Sequence, residues 1–203
     1  MNTRELKKLV AATMSGMQQH ADELRDLDAA LGDGDLGVTV SSGARAVISA
    51  LDDVSDDATP ADVAKSCARA FASANPSTMA ALVAGALLAG SKVWDRDAVS
   101  YQDALVFADA AAASIGTRGK SQVGDKTILD AMAPAIEALK RSGGPDDGLP
   151  AAIQAARDGV EESRALQSRR GRAAWLQERS VGLADPGATA FLRLLEELAA
   201  ARA

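Results

Sequence analysis

One cysteine and one histidine are all that this 203-residue chain has of the two residue types most used for zinc binding and nucleophilic catalysis. Cys67 alone cannot form an internal disulfide, so a reducing, cytoplasmic location is expected. It lies in an alanine-rich helical pattern and reads as a small core residue. A catalytic thiol would want an imidazole partner, and only His20 exists. His20 falls near the end of a predicted helix, where the helix dipole favours a cation, and reads as structural. Aromatic residues make up 3% of the chain, so the core must come from close helix contacts over Ala, Leu and Val. Basic residues are outnumbered, and the net charge of −6 argues against nucleic acid and acidic membrane surfaces as partners. No apolar run reaches membrane-span length, because Gly, Ser and Lys interrupt Ala80–Val93. Met1-Asn2-Thr3-Arg4-Glu5 carries charge with no apolar signal core behind it. Period-two alternation is missing throughout, which leaves no sheet to predict.

Helical periodicity is present almost everywhere. Leu6, Leu9, Val10, Met14 and Met17 recur at helical spacing, with Asn2 or Thr3 as cap, and predict a helix over about 3–22. Further helices are expected from Gly37 or Val38 to just before Leu51, over 61–74 behind Thr59 and Pro60, and over 78–92. Four more follow: 100–115, one starting at Asp125 with Pro134 inside it, 150–166, and 187–202. The expectation is an all-α chain of about eight helices in one domain spanning 1–203, with 47% hydrophobic residues to fill its core. Four polar connections, three of them bearing glycine, stand out at 28–39, 75–78, 117–126 and 168–187.

The densest chemistry lies between Asp26 and Gly37, where four carboxylates and three glycines occur with no basic residue among them. At an effective dielectric of about 20, two carboxylates 4 Å apart repel by about 4 kcal/mol. Bringing Asp28, Asp33 and Asp35 together is therefore unfavourable unless a cation joins them. A set of carboxylate oxygens without His or Cys suits Mg²⁺ or Ca²⁺ better than zinc. An EF-hand fails on spacing: with Asp33 first, the required glycine is Val38 and the required glutamate is Ala44. A solvated acidic turn is the plainer reading. Gly116–Ser121 is not a phosphate loop, because two residues rather than four separate its glycines and no strand precedes it. It remains a basic turn beside a helix start at Gly124-Asp125-Lys126-Thr127, a reasonable anion or nucleotide contact.

Leu27-Asp28 with Gly32-Asp33-Gly34-Asp35-Leu36-Gly37 is followed by Arg118-Gly119-Lys120 and Gly124-Asp125-Lys126-Thr127. Gly171-Arg172-Ala173, Glu178-Arg179-Ser180-Val181-Gly182 and Asp185-Pro186-Gly187-Ala188-Thr189 come next. Taken together, these stretches resemble the L subunit of dihydroxyacetone kinases, and the resemblance covers nearly the whole chain. It implies eight antiparallel helices forming a barrel, with nucleotide and two Mg²⁺ ions at one end. Asp28, Asp33 and Asp35 match the metal-binding aspartates of the family, and no other catalytic residue is implied. The implied nucleotide contacts are Leu36, Gly37, Val38, Thr39, Pro76, Ser77, Gly119, Arg172, Asp185, Pro186 and Gly187. Arg172 also reads as a surface salt-bridge residue within the run Arg169–Arg172.

The implied activity is phosphoryl transfer to a small ketose held on a separate K-type substrate-binding subunit, with ATP or a bound ADP as cofactor. A phosphotransferase-system donor protein, and a second copy of the chain in a homodimer, are further partners left open. The rival expectation is a nucleotide-binding regulatory protein without turnover. Three positions depart from the family pattern. Leu36 replaces a usual histidine, Thr39 replaces an asparagine, and a glycine-rich loop reads Ala74-Asn75-Pro76-Ser77-Thr78-Met79. Losing those glycines restricts how closely the backbone can wrap a phosphate.

Overall fold

Capping residues mark where the chain commits to helix. Asn2, Thr59 and Ser100 each accept the third backbone N–H of the helix that follows, and Glu5, Asp62 and Asp103 reach back to the cap. Each reciprocal box satisfies two backbone donors that would otherwise lack partners. In the computed structural model, which describes residues 1–203, nine α-helices follow in order. They are α1 (Thr3–Met17), α2 (Ala21–Leu31), α3 (Leu36–Asp52), α4 (Pro60–Ala74), α5 (Thr78–Ser91), α6 (Tyr101–Gly119), α7 (Leu129–Arg141), α8 (Pro145–Ser163) and α9 (Pro186–Arg202). Two 3₁₀ segments, Gln18–His20 and Arg172–Ser180, complete the set. Pairing of β type is limited to an isolated bridge between Asn2 and Ala98.

Eight of these helices form a closed ring: α1 packs on α3, each helix from α3 to α9 packs on the next, and α9 returns to α1. Because successive helices alternate in direction, one end of the ring gathers the start of α3 and the α4–α5, α6–α7 and α8–α9 connections. The opposite end carries the remaining turns and both termini. There the Met1 ammonium donates to the Val99 carbonyl at 2.9 Å and Arg202 meets Asp146. α2 lies outside the ring order and bridges α3 and α9 at the first end.

Packing inside the ring is tight on one side and looser on the other. Ala131, Ala135, Ala152, Ala156 and Ala188 are fully buried and let α7, α8 and α9 approach closely. Pro134 has no N–H to give the Asp130 carbonyl, and Gly159 of α8 lies against that oxygen. Leu6, Val47, Val63, Cys67 and Phe71 join α1, α3 and α4. With so few aromatics, the ring leaves an apolar cavity of about 760 Å³ along its interior, bordered by Met14, Phe71, Phe107 and Phe191.

Several expected boundaries move. The helix expected over 3–22 stops at Met17, breaks through the 3₁₀ turn and resumes as α2, which extends to Leu31. Leu24, Leu27 and Leu31 supply the apolar face that continues it, so Asp26 and Asp28 are helical residues rather than loop residues. α6 runs on to Gly119 and takes Thr117 and Arg118 out of the expected loop, ending where Lys120 turns left-handed at φ 50°. α7 starts at Leu129, not Asp125, because Gly124 and Lys126 have φ of 92° and 60°. α8 begins at Pro145, with Pro150 inside it. His20 and Cys67 are structural as expected: His20 Nε2 meets Glu197 at 2.7 Å, and burial pushes the Cys67 thiol up to about 11.

Candidate functional site

α2 ends on the residues that matter most. Asp28 projects from its last turn, and Gly32–Asp35 carries the chain into α3, with Gly34 at φ 75°, a conformation that favours glycine. Close packing sets the angle of this corner, since a Cβ on Gly37 would lie 2.1 Å from the Ala21 carbonyl oxygen. Asp28, Asp33 and Asp35 each place one carboxylate oxygen within 4.8 Å of the others. At that separation each pair repels by about 3 kcal/mol at an effective dielectric near 20. Little opposes this repulsion. The Leu36 N–H donates to Asp28 at 3.2 Å, and the Arg172 guanidinium meets the Asp33 carboxylate. Asp35 occupies the cap position of α3 but makes no capping hydrogen bond, which leaves its oxygens available. Three carboxylates facing one guanidinium, with no nitrogen or sulfur donor, fit a hard divalent cation such as Mg²⁺.

The expected nucleotide residues flank this corner in two ways. Some present backbone donors. In the first turn of α3, the amides of Gly37 and Val38 lack intrahelical acceptors, and Val38 is exposed. Ser77 caps α5 by accepting the Ala80 N–H at 3.1 Å, with Pro76 just before it. Others turn inward. Thr39 is 1% exposed, and its hydroxyl accepts the Asn75 amide at 2.8 Å, so it braces the 75–77 turn instead of facing solvent. Leu36 is buried with Met17, Leu24 and Val40. Gly119 closes α6 beside Leu82 and Ser121.

Asp185 caps α9 by accepting the Ala188 N–H at 2.7 Å, and burial pushes its carboxyl up to about 7. Gly187 lies against Ile128, Leu27 of α2 packs against the buried cluster to which Ala184 and Ala188 belong, and α2 packs on α9. The expected residues therefore gather at one end of the ring. Direct contacts join Asp33 to Arg172 and tie Thr39 to the turn before α5.

Arg172 is held by a strap, residues 164–185, that leaves α8 and enters α9. Gly171 has φ 62° and Gln177 has φ 50° with ψ −127°, a region that a residue with a Cβ enters only under strain. Trp175, midway along the strap in sequence, is 81% exposed. Gly124-Asp125-Lys126-Thr127, expected as a helix start beside an anion or nucleotide contact, is instead a turn with Asp125 and Lys126 buried, and these two, with Asp130 and Arg170, fix the surroundings of the strap. Asp130 accepts the N–H groups of Gly124 and Thr127 at 2.6 and 2.7 Å. Arg170 meets the buried Asp125 at 2.8 Å and holds that carboxyl below its usual range. The one available signal for them is a charged pair inside Gly124-Asp125-Lys126-Thr127, which reads equally well as an exposed anion contact.

Residues 30–200 match the DAK2 domain family. The chain is 33% identical over 172 residues to the ADP-binding subunit DhaL of PEP-dependent dihydroxyacetone kinase 1 from Listeria innocua, covering 85% of this chain and 83% of that one. It is 30% identical over 196 residues to the corresponding subunit of Escherichia coli, covering 89% and 88%. An L-erythrulose 1-kinase of Mycolicibacterium smegmatis is 34% identical over 204 residues, where this chain spans 36% of the relative's length. Among solved structures, the dihydroxyacetone kinase of C. freundii in complex with AMP-PNP and Mg²⁺ superposes with a TM-score of 0.77 at 22% identity. That likeness, which covers 96% of this chain and 33% of the other, shows the all-α fold.

Proposed function

This chain belongs to the DAK2-domain family of dihydroxyacetone kinase L subunits, and from that premise we propose that it is the nucleotide- and Mg²⁺-binding half of a two-component ketose kinase. The observation that carries the reading is the convergence of Asp28, Asp33 and Asp35 within 4.8 Å at a helix start whose free amides face the same end of the ring. In this reading the three aspartates hold Mg²⁺, which when bound offsets the charge of a nucleotide's phosphates.

The chain's own residues supply position and field. Amides at the starts of α3 and α5, with Ser77, bind phosphate oxygens. The Arg172 guanidinium lies near enough to Asp33 to place its charge at the phosphate end. Gly119 and the Asp185-Pro186-Gly187 turn border the remainder of the nucleotide. No side chain here is placed as a general base, which suits phosphoryl transfer governed by positioning and electrostatics. The acceptor, a small ketose, is held on a separate K-type subunit, which in the resembled family binds it through a histidine; the one histidine of this chain, His20, is engaged by Glu197.

A second reading, a nucleotide-binding regulatory subunit without turnover, draws on the Asn75–Ser77 turn, where the resembled family has glycines. Mixing the chain with a K-type subunit, a ketose, Mg²⁺ and ATP separates the two. Ketose phosphate formed only with both proteins supports the kinase. Mg²⁺-dependent nucleotide binding without product, across several K-type partners, favours the regulatory reading. A thermal melt with ADP, with and without Mg²⁺, tests the site itself. Ligand at about 100 times its dissociation constant adds about 2.7 kcal/mol and raises the midpoint by roughly 5–10 °C.

A further inference from the structure

Lys126 is a charged residue in an unusual place. Its side chain is 1% exposed and its backbone is left-handed at φ 60°, a conformation disfavoured for a residue with a Cβ. An ammonium has three hydrogens and accepts none. Here all three are matched by backbone carbonyls, those of Ser180 at 2.6 Å, Leu166 at 3.0 Å and Arg164 at 3.3 Å. These carbonyls belong to the two ends of the strap that carries Arg172. Neighbouring bonds fasten the same base: the Ser168 N–H donates to Ser180 Oγ at 2.9 Å, and the Gly182 N–H donates to the Arg164 carbonyl at 2.8 Å.

One residue earlier, Asp125 grips the strap from the same turn. Its carbonyl accepts the Arg169 N–H at 3.0 Å, and its carboxylate pairs with Arg170, two residues before Arg172. Between these fastenings, residues 172–180 bury little of their own. Ser180 is the sole buried residue of the 3₁₀ segment 172–180, and Gly171 and Gln177 both take left-handed φ values. A segment without a packed face takes its position from where its ends are fixed.

We propose that Lys126 is a positioning residue that, with Asp125, clips the two ends of the strap together and so sets the Arg172 guanidinium beside the metal aspartates. The inference rests on the reading of Arg172 as a nucleotide contact. Lys126 touches neither Arg172 nor the aspartates, and its effect travels through three carbonyls and a short arm of chain. The Asp125–Arg170 pair is the second prong of the same clip.

A double-mutant cycle on the full chain tests this, with the dissociation constant of Mg-ADP and the melting midpoint as separate readouts. Lys126→Met should weaken Mg-ADP binding by about tenfold, comparable to Arg172→Ala, as expected for losing one charge-assisted phosphate contact. In the Arg172→Ala background it should weaken binding no further, while its lowering of the midpoint persists in both backgrounds. Arg170→Ala removes a half-exposed side chain, and should give the same pattern if the Lys126 variant does not fold. Equal weakening in both backgrounds would overturn the proposal, as would wild-type affinity in Lys126→Met, or in Arg170→Ala when only that variant folds. If Arg172→Ala itself binds Mg-ADP as the wild type does, the reading of Arg172 as a nucleotide contact fails first, and this inference with it.

Discussion

The Asn75 side-chain amide donates to the buried Thr39 hydroxyl at 2.8 Å and ties the first turn of α3 to the turn that opens α5. Both helix starts face the same end of the ring, so this bond fixes the relative placement of two sets of free backbone amides. Thr39→Val keeps the shape and removes the acceptor. It should cost about 1 kcal/mol of stability, the usual net value of one hydrogen bond, read as a lowered denaturant midpoint with an unchanged slope. Mg-ADP affinity should fall as well, because the 75–77 turn loses its brace. Unchanged affinity in a destabilised variant would show that the bond serves the fold alone.

Asp35 makes no capping bond in α3 and shares its surroundings with two other carboxylates. Asp35→Asn removes one negative charge from a cluster whose pairwise repulsion is about 3 kcal/mol at an effective dielectric near 20. Without metal the variant should be as stable as the wild type or more so. Calorimetric titration should show Mg²⁺-dependent ADP binding weakened or lost. A variant that binds Mg-ADP as tightly as the wild type would remove Asp35 from the metal site.

The four connections that stand out in the sequence, as polar breaks in helical periodicity, all lie at one end of the ring, because alternate turns between antiparallel neighbours return to the same end. Thr59, Pro60 and Ser77 announce their helices through local chemistry alone. α2 is harder to read. Its apolar face of Leu24, Leu27 and Leu31 is legible, but the carboxylates and glycines that follow suggest a loop beginning too early. Lys126 is harder still. A lysine between Asp125 and Thr127 looks solvated in any local window, and only the return of residues 164–180, 38 to 54 positions later, supplies the carbonyls that bury it. Thr39 shows the reverse: a hydroxyl that suits a phosphate contact is taken by Asn75, 36 residues away.

Burial raises the Asp185 carboxyl to about 7, well above an unfolded aspartate near 4. The native state therefore holds a proton that the unfolded chain has already released across that interval. The corresponding stability is fully present below about pH 4 and is lost as pH rises toward 7. Asp185→Asn keeps an acceptor for the Ala188 N–H without the ionisation. Melts between pH 4.5 and 7.5 should show a decline in the wild type that the variant lacks. Parallel profiles would mean that Asp185 ionises inside the fold without penalty.

Gly159 and the Asp130 carbonyl test the tight side of the ring. Pro134 leaves that carbonyl without its helical N–H, and a Cβ at position 159 would lie 2.2 Å from the oxygen. A backbone atom cannot rotate away as a side chain can, so Gly159→Ala must push α8 from α7. Elsewhere in a helix the same change is favourable by about 1 kcal/mol. Here the overpacking should dominate and leave the protein about 1–3 kcal/mol less stable, since the surrounding alanines leave no room to relax. Gly116→Ala, at an α6 position whose Cβ would meet only ordinary or slightly tight contacts, serves as the matched control. Asp130 also accepts the Gly124 and Thr127 amides, so a displaced α7 should disturb the turn that holds Lys126. Gly159→Ala should then weaken Mg-ADP binding from the far side of α7, whereas a loss of stability with full affinity would show that the turn is anchored independently of the α7–α8 contact.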